Sequence, residues 1–126
     1  MDYSKMIQVV ATYIENNVTN PINIEDLERV SGYSIVHFRD LFKRYTGKTL
    51  ARYILERRIF NAAYTLVHTN KSVLDVSIEY QFTSHDSFTR AFRRIIGFSP
   101  SIFRRLRIPM GQTELCTGIT GIKVFS

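Results

Sequence analysis

The sequence predicts an all-α protein whose seven helices form two similar units joined by a long central helix. Three observations support this fold class. Apolar residues recur at helical spacing between capping residues through 5–106, and the stretch 49–68 contains neither Gly nor Pro. The third is a repeat, because "FRDLFKRYTG" at 38–47 is echoed by "FTRAFRRIIG" at 88–97. A chain of 126 residues is long enough to bury such a helical core.

The first predicted helix carries Ile7, Val10, Ile14 and Val18 at spacings of three and four, which places them on one face. It ends before Pro21, because the residue that precedes a proline avoids helical geometry.

The second and third helices are predicted from their caps. Asn23 caps the second, with Asp26 in the capping-box position, and Gly32 ends it in left-handed conformation. Ser34 caps the third, which Gly47 closes. The expected inward positions of the two helices are Leu27, Val30, Phe38, Leu41, Phe42 and Tyr45.

The central helix is predicted over 49–68 and would be about 30 Å long at the rise of an α-helix. The cycle then restarts. Ser72 and Asp75 cap a short helix through Tyr80, and Ser84 caps a longer one that Gly97 ends. A last short helix begins at Ser99-Pro100. The apolar positions of these last two helices are Phe88, Ala91, Phe92 and Ile95, then Ile102, Phe103 and Leu106.

The repeat has the plan of a helix-turn-helix. The longer helices match at an offset of 50 and the shorter ones at 49, which pairs Leu27 with Val76. Each unit is a short capped helix, a tight turn and a longer basic helix, here 25–46 and 73–96. The second helix of this motif can enter a DNA major groove, and successive major-groove faces lie about 34 Å apart. A connecting helix of about 30 Å could therefore let one chain read two of them.

The charge favours a polyanionic partner. The net charge is +6, and 13 of the 17 basic residues lie in 39–58 and 90–107. The second of these stretches contains no acid, whereas a solvated helix face usually mixes signs. Nucleic acid is the expected partner, although an anionic membrane would also attract a basic surface.

Other classes of function find little support. The single Cys116 rules out an internal disulfide, and His37, His68 and His85 are too scattered for a metal site. No catalytic grouping or phosphate-binding loop is identifiable, so neither an enzyme nor a cofactor is expected. The absence of a secretory signal and of a long apolar run predicts a cytoplasmic protein without a membrane span.

Residues 5–106 resemble the AraC/XylS family DNA-binding domain, most closely the Mar/Sox/Rob type. The similarity lies in "SGYSIVHFRDLFKRYTG", "ARYILERRI" and "FTSHDSFTRAFRRIIGFSPSIFR". The resemblance implies a seven-helix fold with two subdomains, sequence-specific binding to double-stranded promoter DNA as a monomer, and contact with RNA polymerase to activate transcription. It also implies a location on the nucleoid.

The same resemblance assigns site residues. Base edges would be read by Val36, Arg39, Asp40, His85, Asp86, Ser87, Thr89 and Arg90. Backbone phosphates would be met by Ser34, Lys43, Arg44, Arg57, Arg93 and Arg104. Thr89 and Arg90 are expected to face outward, and Arg is the best reader of guanine.

Several positions depart from the family pattern. Relatives usually carry large or basic groups on the first recognition helix, where this chain has Ile35, Val36 and Asp40. Asp40 could accept a bond from cytosine or pair with Arg44, and both remain open. Asp86 lies in a first helical turn, where the helix dipole favours an acid with or without DNA.

The turn of the second unit also departs, because Gln81 replaces its glycine. If that turn needs a positive φ, Gln81 costs on the order of 1 kcal/mol relative to Gly.

Two alternatives remain at this level. Residues 107–126 could be a poorly ordered or loosely docked tail, which we favour, a short strand, or part of a longer partner domain. The rival function is a basic adaptor that acts on the transcription machinery without a DNA site of its own. A ligand sensor is disfavoured, because the helices occupy the chain to residue 107 and no effector domain is evident.

Overall fold

A computed structural model of the chain describes residues 3–106, which contain seven α-helices and no strand. The predicted all-α class and the number of helices are therefore confirmed. Contacts divide the chain into two compact units, with the boundary between Arg57 and Arg58, inside the fourth helix. The helices are α1 Ser4–Asn16, α2 Ile24–Ser31, α3 Ile35–Thr46, α4 Leu50–His68, α5 Val73–Glu79, α6 His85–Ile96 and α7 Pro100–Leu106.

Local capping fixes where these helices begin and end. The side chain of Asn23 accepts from the Asp26 amide at 2.9 Å, and Ser72 accepts from the Asp75 amide at 3.0 Å. Thr49 lies just outside α4 and accepts from the Arg52 amide at 3.1 Å, so the helix starts one residue later than predicted. The predicted left-handed cap at Gly32 is confirmed, and Gly47 and Gly97 end their helices in the same conformation.

The core of the first unit brings together α1, α2, α3 and the start of α4. Its buried members are Val10, Ile14, Leu27, Phe38, Phe42 and Leu50. Tyr45 was expected to face inward, and that prediction is wrong. Its side chain is 48% exposed and meets the ring of Tyr3 edge-on at 5.4 Å. A phenol suits this boundary, because it has an apolar body and a polar tip.

The second unit buries Phe88 and Phe92 of α6 against Phe103 of α7, whose ring lies 5.5 Å from that of Phe92. The repeat seen in the sequence is also a repeat of packing. The Phe88 and Phe92 rings are 5.6 Å apart at 53°, and those of Phe38 and Phe42 are 5.7 Å apart at 53°. The two units therefore position α3 and α6 on equivalent aromatic pairs.

The start of α4 is held by ion pairs within the first unit. Glu56 is buried and accepts from Lys48 Nζ at 2.6 Å and from Arg52 Nε at 2.9 Å. Arg57 donates from two nitrogens to the carboxylate of Glu15, at 2.7 and 3.0 Å. Four basic groups in the stretch 39–58 thus serve the fold or a neighbouring acid, since Arg44 also pairs with Asp40.

The turn of the second unit has the positive φ that was considered for it. Gln81 has φ 71°, close to the 81° of Gly32 at the corresponding place in the first unit. The conformation is the left-handed one that an L side chain adopts only with strain. The backbone is therefore strained at Gln81, in the turn between α5 and α6.

Candidate nucleic-acid interface

The first predicted recognition helix, α3, is fixed at its N-terminus by α2. The carboxylate of Glu28 accepts from the Ile35 amide at 2.7 Å, and Ser34 accepts from the His37 amide at 3.4 Å. Two of the orphan amide groups of the helix are thereby satisfied. These two bonds, together with the burial of Phe38 and Phe42, determine which face of α3 points to solvent.

The outward face of α3 carries the residues predicted to meet DNA. Val36 is 76% exposed, and Arg39 and Lys43 are exposed one turn apart. Asp40 forms an ion pair with Arg44 at 3.1 Å, as the intramolecular alternative predicted. Both partners remain mostly exposed, so the pair is weak and the Asp40 carboxylate keeps free acceptor sites.

The second predicted recognition helix, α6, is capped by Ser84, whose hydroxyl oxygen accepts from the Ser87 amide at 3.0 Å. The Ser87 hydroxyl donates back to the Ser84 carbonyl at 2.9 Å, so it serves the cap. His85 and Asp86 are exposed in the first turn. The Asp86 carboxylate lies 3.3 Å from the Arg90 guanidinium. The two side chains are 79% and 75% exposed, respectively.

Thr89 does not face outward as expected. The residue is half-buried, and its hydroxyl oxygen is shielded from solvent without a hydrogen-bond partner in the described part of the chain. It follows Phe88 and precedes Ala91 and Phe92, all of which are buried. A hydroxyl buried in this way is poorly placed to read a base without a change of rotamer.

The predicted phosphate contacts divide into two groups. Ser34, Lys43, Arg44 and Arg93 are exposed on or beside α3 and α6. Arg57, in contrast, is committed to Glu15 and its side chain is only 16% exposed, which argues against a phosphate contact.

Arg104 is also engaged within the fold. Its Nε donates to the Leu66 carbonyl near the end of α4 at 2.8 Å. Its Nη2 is buried and has no hydrogen-bond partner among residues 3–106. The side chain therefore closes the C-terminus of α4, where a cation complements the helix dipole.

Glu28 and Glu56 make stabilising contacts within the first unit, but the sequence analysis did not single them out. Glu28 reaches an amide seven residues away across a turn, and Glu56 gathers cations from two sides. Only the i, i+4 spacing of Arg52 and Glu56 could have indicated one of these contacts.

Other kinds of site find no support in the described residues. No cluster of three potential metal ligands occurs within 3–106. None of the helices in that range has the length and hydropathy needed to cross a membrane.

Comparison with known proteins identifies the architecture. A family profile described as "Helix-turn-helix domain" matches residues 27–106. The "HTH-type transcriptional activator AarP" of Providencia stuartii is 39% identical over 101 residues, which cover 80% of this chain and 75% of that protein.

Two solved structures share the fold. One is a transcriptional regulator with an AraC-type DNA-binding domain from Chromobacterium violaceum, with a TM-score of 0.77, 26% identity, and coverage of 82% of this chain and 92% of that one. The other is the DNA-binding domain of AdpA in complex with a target DNA, with a TM-score of 0.70, 26% identity, and coverage of 80% and 90%.

Proposed function

The chain belongs to the AraC-type family of helix-turn-helix transcriptional regulators, and we propose that it binds one asymmetric promoter site as a monomer. The observation that carries the proposal is the duplicated recognition helix. Both α3 and α6 begin at a serine cap, bury a Phe pair on one side, and expose charged residues on the other. Because the exposed faces of α3 and α6 differ, one chain can recognise a DNA site whose two halves differ in sequence.

In this proposal each recognition helix enters the major groove of one half-site. The base-reading candidates that are exposed are Val36, Arg39, Asp40, His85, Asp86 and Arg90. Lys43, Arg44 and Arg93 flank them and would bind phosphates, which set the register without reading sequence. The DNA-binding domain would comprise 5–106, with helix-turn-helix motifs at 25–46 and 73–96 and the linker helix at 49–68. The tail predicted at 107–126 lies outside the described residues.

The bound chain would activate transcription by contacting RNA polymerase in the cytoplasm. The relative AarP is named an activator, which supports this direction of regulation. Transcription in vitro from a promoter bearing the selected site tests it. Purified polymerase should make more transcript when the protein is added, and a decrease would point to repression.

Selection of bound sequences from a random duplex pool tests the mode of binding. The expected site has two unlike elements about one helical turn apart, and sedimentation should give one protein per duplex. Affinity for any duplex should fall steeply with salt, because phosphate binding releases counterions. A palindrome occupied by two chains would contradict the monomeric mode. Failure to enrich any sequence would instead favour the adaptor function.

A further inference from the structure

A cleft opens beside the first recognition helix, entirely within the first unit. Its volume is about 690 Å³, within the range typical of small-molecule sites. The floor is apolar and is formed by Ile22, Ile24 and Leu27 at the start of α2 and by Leu50 and Ile54 of α4. Ile24 is 46% exposed, whereas Leu27 and Leu50 are buried.

One wall of the cleft is charged. Arg39, Asp40, Lys43 and Arg44 line it from the outward face of α3. Asp40 and Arg44 are paired with each other at 3.1 Å. Arg39 and Lys43 have no acidic partner among the described residues, so the wall carries uncompensated positive charge.

An apolar floor beneath two unpaired cations is complementary to one class of ligand. We infer that the cleft binds a small amphipathic organic anion, with its apolar body against Leu27, Leu50 and Ile54 and its anionic group beside Arg39 and Lys43. Burial of the body supplies most of the free energy. The exposed charges supply the preference for an anion over a neutral molecule of the same shape.

The site shares residues with the proposed DNA interface. Arg39 is the main base-reading candidate of α3, and Lys43 is a proposed phosphate contact. An anion held between them occupies the cations that DNA needs, so ligand and DNA compete. This part rests on the proposed function, whereas binding of the ligand alone does not.

Two dyes that differ by one anionic group test the site in the absence of DNA. The probes are 1-anilinonaphthalene-8-sulfonate and N-phenyl-1-naphthylamine, which lacks the sulfonate. The sulfonate is expected to bind more tightly, and Lys43→Gln should weaken its binding about two- to fivefold, the range for one exposed ion pair. Lys5→Gln on α1 is the matched control and should leave binding unchanged. Equal affinity for both dyes would overturn the inference.

A second variant tests the location. Ala51 is exposed at the start of α4 and lines the cleft, so Ala51→Phe should fill it and abolish saturable binding. Ser101→Phe adds the same ring at an exposed position of α7 and should have no effect. Circular dichroism establishes that each variant is folded. Unchanged dye binding by folded Ala51→Phe would place the dye elsewhere and overturn the inference.

Competition and self-association are measured separately. The sulfonate dye should displace a selected duplex, and the neutral dye should not. If the protein binds the dye but keeps the duplex, the shared use of Arg39 and Lys43 is refuted while the site stands. If sedimentation shows a dimer that the dye dissociates, the cleft is covered by a second copy of the chain, which overturns the small-molecule assignment.

Discussion

Asp40 and Arg90 occupy the same position in the repeated helices α3 and α6 and carry opposite charges. Each is the residue 50 positions from the other in the repeat, on the exposed face of its helix. Asp40 pairs forward with Arg44 at 3.1 Å, whereas Arg90 pairs backward with Asp86 at 3.3 Å. The two helices therefore expose different charges at the same position, although both pack through equivalent Phe pairs.

This difference predicts unequal reading by the two units. Arg90 can make paired bonds to guanine, whereas the Asp40 carboxylate repels phosphates and can only accept hydrogen bonds, as from cytosine N4. Single base-pair substitutions across a selected site should therefore give large penalties, about 1–3 kcal/mol each, clustered in one half. Competition binding measures them. Penalties of equal size in both halves would show that Asp40 or Val36 reads bases as well as Arg90 does.

Arg90 and Arg93 should differ in kind within α6. Arg90→Ala should cost about 1–3 kcal/mol at the preferred site and relax the preference at one base pair. Arg93→Ala should weaken binding to all duplexes alike and make its salt dependence shallower. Titrations of matched and mismatched duplexes at two salt concentrations separate the two effects. The assignment fails if both variants lose the same base preference.

The strain at Gln81 predicts a stabilising substitution. Gln81→Gly should raise the free energy of unfolding by up to about 1 kcal/mol, because Gly adopts positive φ without steric cost. The greater freedom of Gly in the unfolded chain offsets part of this gain. Gly32→Ala is the converse control. A Cβ added at Gly32 meets no atom within 4 Å, so its expected cost of about 1 kcal/mol is conformational alone. Urea unfolding of both variants should give opposite signs.

Glu56 should matter more to stability than an exposed acid in a comparable ion pair. Glu56→Gln leaves Lys48 and Arg52 without their shared buried carboxylate and should destabilise by about 1–3 kcal/mol. The control is Glu79→Gln, which removes a more exposed pair with Lys71 and should cost less than about 1 kcal/mol. Equal losses in thermal unfolding would mean that the burial of Glu56 adds nothing.

Asp26 should make the first unit sensitive to acid. The pKa of its carboxyl lies below the ordinary value, chiefly because the carboxylate is hydrogen-bonded to Arg29. Hydrogen bonds with Tyr13 and Asn23 lower the pKa further. A lowered folded-state pKa stabilises above the unfolded value of about 3.9, and the contribution is lost as the pH falls through the folded value. Asp26→Asn should therefore be less stable than the parent at pH 7, and the difference should shrink below about pH 4. A difference in melting temperature that is constant with pH would refute this.

Local interactions account for what the sequence predicted well. The caps at Asn23, Ser34, Ser72 and Ser84 depend on residues three positions away, so the pattern alone contains both partners. The repeated Phe pair is likewise visible as a spacing of four. The seven helices and their order follow from these signals.

The errors concern contacts that the helical period does not encode. Arg57 was predicted to contact phosphate, and no sequence pattern indicates that Glu15, 42 residues earlier, accepts a hydrogen bond from it. Thr89 lies at the edge of the buried face of α6, which has five buried residues. This face is wider than a narrow apolar stripe and includes the Thr89 hydroxyl. Tyr45 is the opposite case, because its ring lies at the surface beside that of Tyr3 and not in the core.

The bonds that α4 makes through Arg57 and through Leu66 have a consequence for protein synthesis. Arg57 closes the first unit by reaching back to α1, and the Leu66 carbonyl is met by Arg104, far later in the chain. A growing chain can therefore complete the first unit once Arg57 has left the ribosome, but the second must wait for Arg104. At about 5–20 residues per second the interval lasts roughly several seconds. Stalled nascent chains that end between these points should protect the first unit from protease, and equal sensitivity of both units would contradict this order.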